Sequence, residues 1–394
     1  MPVCERPRTE ASGSQRASTL GNTLLPLSTV PLDEWRALCS RMVEPNGYYL
    51  PDWHIAVNGS ARGRTGTSAL CAWSGGSTTR LIGLMPVTSM WRAYKLPLPV
   101  LVSGHPYGTL CTPLIDRDVI DTAITGLLQA ARQAGARALL LRDVALEGPV
   151  MQAITAASAR ESLAPRPLQS HLRACLDAGG DGEAVLREAL GPKKLKELRR
   201  QHHRLAEHGP VSFEVARTPQ QVAPALENFL RLEASGWKGR RGTALIQHEG
   251  DAAFIRRAAP ALAANSQCEI LTLRSGDTAI AAGVVLRHQN RAFFFKLGVD
   301  ERYAKYSPGV QLTIAITRHL CADPAITSAD STAGPDHPMI NPIWRGRLAI
   351  GDILLPLRAR DPVVDLIHAT LLARRSGLDL ARRGVHALRS LRRR

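Results

Sequence analysis

Short apolar runs bounded by Gly, Pro, Asp and Ser alternate along this chain with longer segments in which apolar residues recur every three or four positions. The first pattern is that of buried strands and the second that of amphipathic helices, so the chain reads as α/β. Behind Ser28 or Thr29 as cap, a helix is expected from Pro31 to about Val43. PNGYYLPDW (45–53) follows as an aromatic loop. Strands are expected at 68–73 and 79–87 about a Ser74-Gly75-Gly76 turn, at 98–103, at 138–144 and at 169–176, with helices at 118–134 and 149–162. Asp177 to Gly182, small and polar with three glycines, is the expected linker. Beyond it come a long basic helix (183–208), a strand (211–216), helices at 219–235 and 251–264, and a hairpin (268–273 and 278–286) over Ser275-Gly276-Asp277. The apolar run 292–297, a helix opened by Ser307-Pro308-Gly309, a strand at 325–330 and a helix from Pro362 complete the chain.

The two halves repeat one order of elements. LCAWSGGSTTRLIGLMPV (70–87) and ILTLRSGDTAIAAGVVL (270–286) are both strand, Ser-Gly turn and strand, with Gly83 and Gly283 nine and eight residues beyond the turn serine. Each hairpin is preceded by a helix and followed by strand, helix and strand. The expected organisation is a disordered tail (1–22), a first α/β unit (23–176), the linker (177–182), a second unit (183–360) and a basic C-terminal helix (361–394).

The segment Arg291–Leu320 carries the clearest candidate chemistry. A buried strand leads into a polar loop, and Ser307-Pro308-Gly309 opens a helix with Ser307 as N-cap and Pro308 at the first helical position. Gly309 leaves that first turn bare, so a phosphate can approach its N–H groups and the positive end of the helix dipole. The first half has Ile115-Asp116-Arg117-Asp118 at the equivalent junction and no Ser-Pro-Gly, so no such phosphate cradle is expected there.

Composition narrows the classes. A formal net charge of +16 favours anionic partners. The seven cysteines are scattered singly with no C-x-x-C, which points to reduced thiols in the cytosol. No Walker A loop and no G-x-G-x-x-G is present, which argues against an NTPase or a dinucleotide oxidoreductase. His202 and His203 diverge by about 100° on a helix and cannot share a metal from one face, so no metal site is expected. No apolar run reaches the roughly 18 residues of a membrane span. The Arg-dense C-terminus, with Arg374, Arg375, Arg382, Arg383 and Arg389 to Arg394, suits either an anionic membrane surface or solvent; the expected location is cytoplasmic, peripheral to the inner membrane if the tail binds lipid.

The basic helix Lys193–Arg204, Glu233 with Trp237-Lys238-Gly239, the second hairpin, and Gly298-x-Asp300 followed by Ser307-Pro308-Gly309 resemble the GNAT-type acyltransferases of the cellulose-biosynthesis (CelD-like) family, relatives of the FemAB-type transferases. PNGYYLPDW and GHPYGTLCTPLID (104–116) resemble it more loosely. The resemblance implies two tandem GNAT folds, mixed sheets flanked by helices, and transfer of an acyl group from acetyl-CoA or another acyl-CoA to an amine, with a polysaccharide precursor as a candidate acceptor. Ser307, Pro308, Gly309, Val310 and Gln311 would then take the pyrophosphate. A backbone N–H among Leu297, Gly298 and Val299 would stabilise the oxyanion. Tyr303 and Tyr306 are candidates to protonate the departing thiolate, and Asp330, Asp336 and His337 to take the amine's proton. Trp237, Lys238 and Trp344 are candidates for the acceptor site, with Lys238 meeting an anion.

The resemblance lapses in one segment. Many relatives carry Asp-x-x-x-Gly-x-x-x-Tyr-Lys after the strand that follows the phosphate helix; here Asp330 and Gly334 are kept, but Tyr-Lys is replaced. Two rivals therefore stand beside the acyl-CoA reading: a FemAB-type transferase that uses charged tRNA, to which the basic helix is suited, and a degenerate GNAT-fold accessory or scaffold protein.

Overall fold

The computed structural model describes residues 21–75 and 79–391, with side chains described as far as residue 377. Most of the expected N-terminal tail, Gly76 of the first turn and the side chains of Arg382, Arg383 and Arg389 to Arg394 lie outside the described residues. The first half supplies β1 (Thr23–Pro26), α1 (Leu32–Arg41), α2 (Pro51–Ser60), β2 (Ser68–Trp73), β3 (Leu81–Ser89), α3 (Met90–Tyr94), β4 (Val100–Ser103), β5 (Leu114–Ile115), α4 (Ile120–Gln133), β6 (Ala138–Ala145), α5 (Pro149–Arg160) and β7 (Arg166–Asp177). The second supplies α6 (Gly182–Ala206), β8 (Val211–Ala216), α7 (Pro219–Ser235), α8 (Trp237–Arg240), α9 (Glu249–Ala264), β9 (Cys268–Ser275), β10 (Thr278–His288), β11 (Arg291–Val299), α10 (Pro308–Cys321), β12 (Ser328–Asp330), β13 (Gly346–Pro356) and α11 (Pro362–Leu391).

Both halves build one sheet. Among the described residues its thirteen strands run β1-β2-β3-β4-β6-β13-β7-β12-β11-β10-β9-β8, with β5 beside β3. Pair directions read alike from either end: three antiparallel pairs, one parallel pair (β4 with β6, β11 with β12), then antiparallel pairs to the centre. The centre holds an exchange. β13 of the second half lies between β6 and β7, while β7 of the first half pairs with β12. The segment 177–182 thus joins halves whose last strands interleave; Asp181 caps α6 through the N–H groups of Glu183 and Ala184.

Gly83 and Gly283 occupy matching places. A Cβ on Gly83 would meet Ala123 and Leu127 of α4, and one on Gly283 would meet Ile316 of α10. Gly83 lets α4 settle close onto β3, whereas Gly283 chiefly leaves room for the ring of Phe294 on the neighbouring strand, where a Cβ would lie 2.9 Å from it. One face of the sheet carries a core shared by both halves, with Trp35, Tyr48, Trp53, Phe229, Phe254 and Phe293. The opposite face carries two cores, one under α4 and α5 and one under α6 and α10.

Several local expectations are corrected. The aromatic loop is in part the start of α2, which opens with Pro51 at its first position. α1 has Pro31 at its N-cap and no side-chain cap; Thr29 donates to the carbonyl of Pro26 instead. The basic helix is bent at Gly191, whose φ of 69° no helix accommodates, with Pro192 behind it. β13 was hidden because its run is broken by Gly351 and Asp352, where its ladder shifts register against β6 and β7. No helix among the described residues is long and apolar enough to cross a membrane.

Candidate active site

β11 and β12 pair over only three residues each, Arg291–Phe293 against Ser328–Asp330. β12 then stops while β11 continues to Val299, so the sheet opens into a wedge. On its other edge β11 shifts register against β10 between Val284 and Val285, which leaves Phe295 as the extra residue of a bulge. The wedge encloses a cavity of about 500 Å³, walled by the free edge of β11, the segment 331–340, the first turn of α10, and Trp237 with Lys238.

Thr332 closes one end. Its backbone is left-handed (φ 49°), its hydroxyl donates to the carbonyl of Phe294 at 2.6 Å, and its N–H donates to Asp330 Oδ1 at 2.8 Å. Thr109 of the first half donates its hydroxyl to the Thr332 carbonyl at 3.1 Å. Further along, Lys238 Nζ donates to the carbonyl of Leu297 at 2.9 Å and so occupies an edge position that β12 leaves open.

The first turn of α10 faces this cavity through Ser307, Pro308, Gly309 and Val310. Ser307 stands at the N-cap, but it is left-handed (φ 53°) and its side chain makes no cap bond, contrary to the expected capping. Pro308 has no N–H, and Gln311 N donates to the Ser307 carbonyl at 3.0 Å. The N–H groups of Gly309 and Val310 therefore have no acceptor within the helix, and the positive end of its dipole points into the wedge. Gly309 is held close as well: a Cβ there would lie 3.1 Å from Leu297, 3.2 Å from Met339 and 3.3 Å from Val299.

Beneath the wedge lies a charged cluster. Glu233 is buried at 2% exposure, and its Oε1 accepts from Lys296 Nζ at 2.9 Å and from Lys238 Nζ at 3.5 Å. Its Oε2 accepts from Leu245 N at 2.9 Å. Burial pushes the Lys238 ammonium below the usual lysine range; Glu233 opposes that shift and Lys296 adds to it. His337 also lines the cavity, and burial lowers its imidazole, with a further push from Lys238. The N–H groups of Met339 and Ile340 point at His337 Nδ1 at 3.4 Å, an arrangement that favours the proton on Nε2.

The other expected site residues fall outside. Gly298 faces away; a Cβ there would lie 2.7 Å from the backbone N of Glu233, so it serves the close approach of α7 to β11. Gln311 is buried with Nε2 donating to the Leu198 carbonyl at 2.8 Å, which ties α10 to α6. Tyr306 is buried with its hydroxyl 2.7 Å from His208 Nε2, and Tyr303 packs beside the same ring. Asp330 is ion-paired with the buried Arg173, and both its oxygens are engaged. Asp336 is exposed beyond the cavity. Trp344 is fully buried, its indole N–H donating to Thr317 at 2.9 Å, so it is a core residue. Burial raises the thiols of Cys39, Cys71, Cys111 and Cys268 to about 12, which makes them poor nucleophiles. Among the described residues no cluster of metal-ligating side chains occurs. Lys296 and Thr332 were missed by sequence reasoning. A lone lysine in the apolar run FFFKLG was the available signal for the first; nothing local marked the second.

Residues 192–337, which include most of the cavity wall, match the family described as acetyltransferase (GNAT) domain. The chain is a GNAT-fold, acyltransferase-like protein. The match supports an acyl-CoA-dependent N-acyltransferase activity. Among solved structures, FemX aligns at a TM-score of 0.56 and 9% identity, covering 86% of this chain and 98% of its own. The C-terminal domain (DUF2156) of a putative lysylphosphatidylglycerol synthetase from Agrobacterium fabrum aligns at 0.52 and 14%, covering 86% and 95%. L-PGS from Bacillus licheniformis aligns at 0.50 and 14%, covering 90% and 99%. At these identities the likeness shows the fold, which extends over both halves. No curated protein sequence matches this GNAT-fold chain.

Proposed function

We propose that the wedge between β11 and β12 binds acyl-CoA and that the acyl group passes directly from the thioester to an amine. The observation that carries this reading is the uncapped first turn of α10 at the wall of the cavity, with Gly309 and Val310 N–H groups free for a pyrophosphate. The amine lone pair attacks the thioester carbonyl while a β11 N–H stabilises the oxyanion; the C–S bond then breaks, and the departing CoA thiolate takes up the proton that the new amide nitrogen gives up. No protein nucleophile is required, which agrees with the raised thiols. Asp330, buried and doubly engaged, acts in this reading as a positioning residue for Thr332 and not as the base.

The palindromic sheet and the matching Gly83 and Gly283 favour an origin of the two halves as tandem copies, the first of them degenerate. In the first half the gap beyond the β4–β6 pair is closed: Cys111 N donates to the Asp143 carbonyl, and Ala145 N to Thr112 Oγ1. Its contribution to the site is Thr109 on Thr332 and Tyr107 beside Lys296. An acceptor in exopolysaccharide assembly is part of the proposal through the CelD-like resemblance alone.

A second reading has an observation of its own. The distal part of α6 buries Leu195, Leu198 and Leu205 and exposes Lys193, Lys194, Lys196, Arg199, Arg200 and Arg204, a face suited to tRNA or an anionic surface. Calorimetry with acetyl-CoA, charged tRNA and anionic vesicles separates these readings. Acetyl-CoA is expected to bind the native chain and not Val310→Glu, whose carboxylate would meet the pyrophosphate; a folded variant is confirmed by its melting profile. Salt-sensitive tRNA binding without acetyl-CoA binding overturns the proposal in favour of the tRNA reading. Binding of neither leaves a scaffold, and vesicle binding alone assigns the basic surfaces to lipid.

A further inference from the structure

Glu233, Lys238 and Lys296 do not balance. One carboxylate oxygen serves both ammonium groups, and the second oxygen is taken by Leu245 N, so the cluster keeps one excess positive charge. Its donors are not exhausted either. Lys296 spends one N–H on Glu233 and otherwise stands 5.8 Å from the ring centroids of Tyr107 and Phe295. The neighbouring acid, Asp251, is already bound by the Tyr107 hydroxyl and by Arg62 N. Both lysines line the same cavity as the α10 terminus, but they reach it from the other face of the sheet: α7, which carries Glu233, packs in the core shared by both halves, whereas α10 packs in the core beneath α6.

The cavity thus has two separate attractions for negative charge. The α10 terminus accounts for a pyrophosphate on one face. We infer that Lys238 and Lys296 form a subsite for a carboxylate at the reacting end of the wedge, carried either by the acyl group or by the amine acceptor. The inference rests on the acyl-CoA reading of the cavity and narrows its substrates to an acidic class. A single excess charge matches a carboxylate; a phosphate dianion would leave an uncompensated charge among Phe294, Leu297 and Met339, at a cost that low-dielectric surroundings enlarge. Cationic acceptors such as polyamines are disfavoured by the same charge. His337 stands on the same cavity wall.

Two arms test this on the full chain. The donor arm compares dissociation constants of succinyl-CoA and acetyl-CoA; the acceptor arm compares acetyl transfer to glycine, glycinamide and putrescine. A preference of about tenfold or more for the carboxylate-bearing compound is expected in one arm, since a charge-assisted hydrogen bond is lost without it. Lys296→Gln is expected to abolish that preference and Lys296→Arg to retain it, with circular dichroism confirming that both variants fold. No preference in either arm, a preference for putrescine, or an unchanged preference in Lys296→Gln overturns the subsite while acetyl-CoA binding stands. Failure of the native chain to bind acetyl-CoA removes the functional reading itself, and the subsite with it.

Discussion

Arg173 of β7 and Asp330 of β12 form an ion pair in which both side chains are essentially fully buried, at 0% and 1% exposure. The pair sits where the last strand of the first half enters the sheet of the second. Arg173 also donates to the carbonyl of Thr109 at 2.5 Å, and Asp330 accepts from Thr332 N, so the pair fixes the closed end of the wedge from both halves.

Removing one partner strands the other charge in the interior. Arg173→Met is expected to cost roughly 3–5 kcal/mol of stability, as buried pairs do when broken. The double variant Arg173→Met with Asp330→Leu is expected to recover much of that loss, because no charge is then left unpaired. Urea denaturation of the two single variants and the double checks it; additive losses would show that the residues are not coupled.

Gly298 gives a second test. Its missing Cβ leaves room for α7, and an added one would lie 2.7 Å from Glu233 N and 3.1 Å from Leu232 Cβ, neither of which yields easily. Gly298→Ala is expected to lower stability by about 1–3 kcal/mol through overpacking. A thermal melt unchanged from the native chain would contradict the close approach of α7 to β11.

Acid sensitivity follows from His54. It is buried at 1% exposure, and burial lowers its imidazole to about 4, with the Tyr48 backbone offsetting part of the shift. The unfolded chain binds this proton below about 6.5 and the folded chain only below about 4, so stability falls as pH drops through that window. The loss amounts to roughly 3 kcal/mol for a shift of this size. His54→Phe is expected to flatten the stability profile between pH 6.5 and 4, whatever its effect at pH 7. A profile as steep as that of the native chain would assign the acid sensitivity to other groups, such as His105, which burial lowers to about 3.

Local physics made much of this protein legible in its sequence. The apolar run at 292–297 was short and aromatic enough for a strand, the Ser-Gly turns marked both hairpins, and Pro308-Gly309 marked a helix start with a bare first turn. What required the tertiary structure was every feature that depends on residues far apart along the chain. The exchange of β7 and β13 is decided by pairing partners more than a hundred residues distant, a choice that strand periodicity does not encode. Asp330 and Trp344 carry residue types suited to chemistry, yet each is drawn into the interior by a partner, Arg173 and Thr317, that sequence spacing does not reveal. Lys296 has the opposite history. In the sequence it is a lone charge in an apolar strand, and the bulge at Phe295 together with the buried Glu233 turns it into the wall of a cavity. The strand and the helix terminus were written locally; the wedge between them exists because β12 ends after three residues and β11 does not.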